Sequence, residues 1–77
     1  MPKDLVGNEL QIGDVVLDLS ERIVCRIVRV YDKSITTDLQ IRKENEDRKL
    51  YGHKPVDSET CSFHKLATSV VKIVLPE

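Results

Sequence analysis

Cys61 and His64, a thiol and an imidazole three residues apart, are the side chains in this sequence best suited to chemistry. A Cys-x-x-His step can supply two zinc ligands, with His53 and Cys25 as further donors. A structural zinc site usually draws on two close ligand pairs, and here one pair is joined by two distant singles. The same thiol and imidazole would need a lowered thiol pKa in an accessible, electropositive pocket to act as nucleophile and base. The sequence holds no Gly-x-Ser-x-Gly elbow, phosphate-binding Gly-rich loop or His-Glu-x-x-His helix. The closely spaced acids Glu44 and Glu46, and Asp57 and Glu59, lie in polar stretches where carboxylates are usually solvated. The expectation is a non-enzymatic protein with no metal and no cofactor.

The cations are the stronger lead. Net charge is −1 over 77 residues, but it is unevenly spread. Residues 1–21 hold one base and five acids, residues 22–54 nine bases and five acids, and residues 55–77 two bases and three acids. A basic middle between acidic ends can build a basic face on a nearly neutral protein. Arg22, Arg26, Arg29, Lys33, Arg42, Lys43, Arg48 and Lys49 are the candidate binding residues, with Tyr51 or Tyr31 available to stack on a base. The bland alternative is a solvated surface, since Glu44, Glu46 and Asp47 interleave the last four cations. A protein that coats DNA without sequence preference would usually be basic overall.

A chain of this length forms one domain with a modest core. With no Trp, one Phe and two Tyr, that core must be aliphatic. No apolar run reaches the roughly 18 to 20 residues that span a bilayer, and the Met-Pro-Lys-Asp-Leu opening lacks an apolar leader core. The expected compartment is the cytoplasm, where Cys25 and Cys61 would be reduced.

The elements that must position these residues read mostly as strands. Gly13-Asp14 opens Val15 to Leu19, whose alternation places Val15, Leu17 and Leu19 on one face, expected to be core. Glycine supplies the positive φ of the reversal, and aspartate can accept from backbone amides in the same turn. Arg22 to Tyr31 has two readings. Its β-branched content favours a strand, in which Arg26 and Arg29 point to opposite faces. As a helix capped by Ser20, it would align Arg22, Arg26, Arg29 and Lys33 in one stripe. Asp32-Lys33-Ser34 reads as a hairpin turn into Ile35–Ile41, with Ile35, Thr37, Leu39 and Ile41 inward and Thr36, Asp38 and Gln40 outward. Arg42–Lys49 reads as a long charged loop continuing to Pro55. Thr60–Lys65 is a candidate strand with Cys61 and Phe63 on one face. Leu66–Ser69 reads as a short turn, with 3-10 geometry one of its forms. Val70–Leu75 is a last strand ended by Pro76.

Five short strands around one small core predict an all-β, single-domain SH3-like barrel, because a small antiparallel sheet must curl to hide its edges. The stretch Asp4-Leu5-Val6-Gly7-Asn8-Glu9-Leu10-Gln11-Ile12-Gly13-Asp14-Val15-Val16 resembles the opening of small SH3-like proteins of bacteriophages. The likeness continues through Ile27-Val28-Arg29-Val30 to Ile35 and in Val70-Val71-Lys72-Ile73. The first half also resembles the KOW motif, although Cys25-Arg26 stand where that motif has a glycine. The phage resemblance implies an accessory or regulatory module that binds a host protein, such as transcription machinery or another enzyme, in a bacterial cytoplasm. The KOW resemblance implies nucleic-acid binding through the basic segment 22–54.

Overall fold

The computed structural model describes residues 1–74. Five antiparallel strands form one curled sheet: β1 (Val15–Asp18), β2 (Ile23–Val30), β3 (Ser34–Thr37), β4 (Lys65–Leu66) and β5 (Val70–Lys72). Their order is β4-β3-β2-β1-β5. One α-helix, α1 (Asp38–Leu50), leaves β3 directly, and a 3-10 turn (Ala67–Ser69) links β4 to β5. The domain is therefore mostly β, as expected, with one helix added. Val70–Lys72 lies inside the expected last strand, and Leu75 and Pro76 of that expectation fall outside the described residues.

Leu10, Val16, Cys25, Ile27, Ile35, Leu39, Ala67 and Val70 make the core, with Val30 packed against it. The β1 expectation is inverted. Val16 and Asp18 point inward and are buried, whereas Val15 and Leu17 are half-buried and Leu19 is exposed. The apolar stripe Val15, Leu17, Leu19 thus lies on the outer face. Asp18 goes inside because it has partners there. Its Oδ2 meets the Lys65 ammonium at 2.5 Å. Its Oδ1 accepts from Ser20 N–H (3.0 Å), Ser20 hydroxyl (2.8 Å) and Glu21 N–H (3.1 Å). A buried charge is tolerated when it is paired and hydrogen-bonded in this way.

Arg22–Tyr31 takes its strand form, as residues 23–30, and carries a bulge. Ile27 pairs with Thr37 but Arg29 pairs with Thr36, so Val28 is the extra residue. The turn that feeds β2 holds Arg22 at φ +58°, the left-handed region in which a Cβ costs energy. At the other end of β1, Gly13 has φ +95°, and Asp14 Oδ2 accepts from Gln11 N–H at 2.8 Å. The Gly-Asp strand opening is built as its residues suggest.

The charged loop expected at Arg42–Lys49 is helix. Thr37 and Gln40 form a capping box, in which Thr37 N–H donates to Gln40 Oε1 at 3.1 Å. The residues that follow are mostly Arg, Lys, Glu and Leu, which lose little rotamer freedom in a helix. The Ile35–Ile41 strand is accordingly cut at Thr37, and Asp38 turns its carboxylate back to accept from Arg26 N–H at 3.1 Å. That bond supplies the partner β3 would have given had it continued. Expected strand Thr60–Lys65 is also corrected. Only Lys65–Leu66 pairs, because Asp57 Oδ1 draws Glu59 and Thr60 N–H into a tight turn at 2.9 and 3.0 Å.

Polar side chains of α1 hold the returning chain. Asn45 exchanges two bonds with the Val56 backbone, at 2.7 and 3.1 Å. Glu44, buried, accepts from the N–H (3.0 Å) and hydroxyl of Ser62. Arg48 Nε donates to the Lys54 carbonyl. Near the N-terminus, Asp4 plays a similar part. Its oxygens accept from Val6 N–H, Asn8 N–H, the Asn8 amide and, at 2.7 Å, Lys72 N–H on β5. The outer edge of β5 is thereby covered.

Candidate functional site

The Val28 bulge decides where the arginines of β2 point. Cys25 and Ile27 face the core, so Arg26 faces out. Without the bulge Arg29 would face in. The extra residue restores it to the outer side, opposite Thr36, and lets Val30 return to the core. Arg26 and Arg29 therefore share one face, contrary to the expectation from simple alternation.

That outer face has a definite composition. Arg26 sits opposite Val15, Val24 opposite Leu17, and Leu17 opposite Val71. Val24 is 56% exposed. Val15, Leu17 and Val71 are half-buried, and Leu19 extends the stripe toward the β1–β2 turn. On the β3 side the face ends abruptly. Thr36 is buried there under residues 63 and 64, with its hydroxyl donating to the Phe63 carbonyl at 3.3 Å and lying 2.8 Å from His64 Nδ1. The Tyr31 and His64 rings meet edge to face at 4.7 Å. The result is an aliphatic patch over β5, β1 and β2 with two guanidinium-bearing residues along one border.

The other candidate cations do not join this face. Arg22 stands exposed at the β1–β2 turn. Lys33 lies in the β2–β3 turn, beside a cleft of about 300 Å³ that Lys3, Leu66 and Ala67 also line. Lys43 is paired with Glu21, which ties α1 to the β1–β2 turn. Arg48 is bonded to the Lys54 carbonyl. Arg42 and Lys49 are exposed on α1, seven residues apart and so near one another in angle around the helix. Tyr51 caps the helix at its far end and is 77% exposed. The basic segment 22–54 is thus divided among several surfaces.

The cysteine and histidine candidates are also dispersed. Cys25 lies in the core, and burial pushes its thiol above the ordinary value despite a hydrogen bond with Thr37. Cys61 is buried elsewhere, its thiol likewise pushed up by burial and facing the Phe63 carbonyl at 3.8 Å. A raised thiol is a poor nucleophile at neutral pH. Among the described residues no three His, Cys, Asp or Glu side chains converge as metal ligands. No helix among them is long and apolar enough to cross a membrane.

Sequence reasoning missed Val24, Leu17 and Val71 as surface residues. The available signal was Val16 between two apolar neighbours: with apolar residues on both sides of β1, either face could have been the core. Compared with protein-family models, curated proteins and solved structures, the chain shows no match.

Proposed function

We propose that this chain is a small protein-binding module and that the outer face of β5, β1 and β2 receives its partner. The carrying observation is the juxtaposition on one face of exposed Val24, half-buried Val15, Leu17 and Val71, and the bulge-aligned Arg26 and Arg29. Aliphatic surface left in water favours association, and arginine at its border selects carboxylates by charge and by forked hydrogen bonds. The matching partner is a protein surface with an apolar centre and an acidic rim.

The strand order β4-β3-β2-β1-β5 and the 3-10 turn between β4 and β5 support an SH3-like barrel in which α1 occupies the β3–β4 connection. With the resemblance of residues 4–16 to phage SH3-like proteins, this supports an accessory or regulatory role exercised on a host protein rather than catalysis.

The test is a side-by-side capture from bacterial lysate using the wild-type chain and the folded variants Val24→Asp and Arg26→Glu. A partner recovered by the wild type and lost from both variants is expected. Recovery of the same proteins by all three, or of no specific protein, contradicts the reading.

A further inference from the structure

The far end of α1 carries a second, independent feature. From residue 48 to residue 56 the chain has Arg48, Lys49, His53 and Lys54 and no acid. Within this segment Leu50 and Tyr51 are 81% and 77% exposed, the two most exposed large apolar side chains described. At the same end of the helix a cleft of about 410 Å³ is lined by Asn45, Lys49, Gly52, His53 and Pro55, and Tyr51 and Lys54 are chain neighbours of these lining residues. That volume falls in the range of about 300 to 1,000 Å³ usual for small-ligand sites.

The end of the helix is held in a defined shape. Gly52 takes φ +72°; Tyr51 N–H donates to the Asp47 and Arg48 carbonyls, Gly52 N–H to the Lys49 carbonyl and His53 N–H to the Arg48 carbonyl. These bonds engage the carbonyls of Asp47, Arg48 and Lys49 in the last turn. Asn45 is engaged with Val56 and Arg48 with the Lys54 carbonyl, so the cleft wall is braced from both sides. The side chains of Lys49, Lys54 and Tyr51 have no such structural task among the described bonds. Lys49 and His53 in the cleft wall, with exposed Lys54 and Tyr51 next to lining residues in the chain, match the way single strands are held, with phosphates on cations and a base stacked on an aromatic ring.

We propose that this cleft binds single-stranded nucleic acid, with Lys49, His53 and Lys54 on the phosphates and Tyr51 stacking on a base. The acids Glu46 and Asp47 lie on the preceding turn, and the cations at the tip are closer to the cleft in the chain. An acidic peptide would satisfy the lysines but leave Tyr51 without a flat partner.

The experiment uses the full chain and fluorescein-labelled single strands of about ten nucleotides, DNA and RNA, read by anisotropy. The two lysine–phosphate contacts give a salt slope of roughly −1.4, so affinity should fall about sevenfold between about 50 and about 200 mM salt. Tyr51→Ala should weaken binding at least about fivefold. The double variant Lys49→Glu/Lys54→Glu should abolish it, with an unchanged circular dichroism spectrum. Arg26→Glu, on the distant sheet face, should leave it intact. Absence of binding at low salt, equal binding to a duplex of the same length, or full binding by the folded Lys49→Glu/Lys54→Glu variant overturns the proposal. None of these outcomes bears on the sheet-face reading.

Discussion

Lys65, on edge strand β4, places its ammonium 2.5 Å from the Asp18 carboxylate on β1, although two strands lie between them in the sheet order. The bond crosses the concave side of the sheet and holds the curl closed. Lys65 also donates to Ser20 Oγ at 2.7 Å, so the β1–β2 turn is fixed by the same ammonium. Asp18 is fully buried, and the Lys65 side chain is 15% exposed.

Removing one member of such a pair strands the other. Lys65→Met should cost about 3 to 5 kcal/mol, a large part of the stability of so small a domain. Replacing both, as Asp18→Asn/Lys65→Met, should recover part of that loss because no uncompensated charge remains. Urea denaturation of the four forms measures this directly. Purely additive losses would show that the pair does not close the sheet.

Acid should weaken the fold. Burial alone would raise the Asp18 carboxyl, but the bonds from Lys65, Glu21 and Ser20 outweigh it and hold it below its ordinary value. Asp4 is held down against burial in the same way by Lys72, Asn8 and Val6, and Glu44 chiefly by the Ser62 hydroxyl. A carboxyl lowered in the folded state stabilises fully above its unfolded value and loses that contribution as pH falls through the folded one. The two cysteines are raised, so their contribution is full below the ordinary thiol value and is lost at alkaline pH. Melting temperature should be level near neutrality, fall below about pH 4, and fall again above about pH 8.5. A melting temperature unchanged down to about pH 2 would contradict these assignments.

The left-handed turn at Arg22 should respond to glycine. The positive φ costs a residue with a Cβ about 1 kcal/mol, partly offset by the greater unfolded-state freedom of glycine. Arg22→Gly should therefore stabilise by roughly 0.5 kcal/mol, and Arg22→Val should destabilise by at least as much. Thermal melts distinguish them, since 1 kcal/mol moves a domain of this size by about 4 to 8 °C.

The polar seam between α1 and the return segment should open locally. Asn45→Ala removes both bonds to Val56, and protease cleavage within residues 53–62 should rise severalfold while the sheet remains folded. Global unfolding of this variant would show the seam to be part of the main core instead.

The turns and strands around the core were legible in sequence because their residues admit few alternatives. Gly13-Asp14, the Asp32–Ser34 hairpin turn and the β-branched run at Ile23–Val30 each formed as local preference dictates. Three features were not legible. The side of β1 that faces inward depends on Lys65, 47 positions away from Asp18 in the chain. The bulge at Val28 leaves no mark in a run of β-branched residues, arginines and one cysteine. Helix α1 has almost no apolar stripe, because what it buries includes Gln40 and Glu44, satisfied by Thr37 and Ser62. Its visible signal was the Thr37-x-x-Gln40 box, which strand-like alternation through Ile41 concealed. The candidate cations were readable as a group, but their division among faces came from that bulge and that helix.

The face itself is tested most directly by titrating the captured partner into isotope-labelled protein and following the backbone amide signals. Shifts and line broadening should concentrate on residues 15–17, 24–29 and 70–71, and Arg26→Glu should suppress them. Perturbations confined to α1 and the β2–β3 turn, with the outer sheet face unmoved, would contradict the assignment of partner binding to Val24, Arg26 and Arg29.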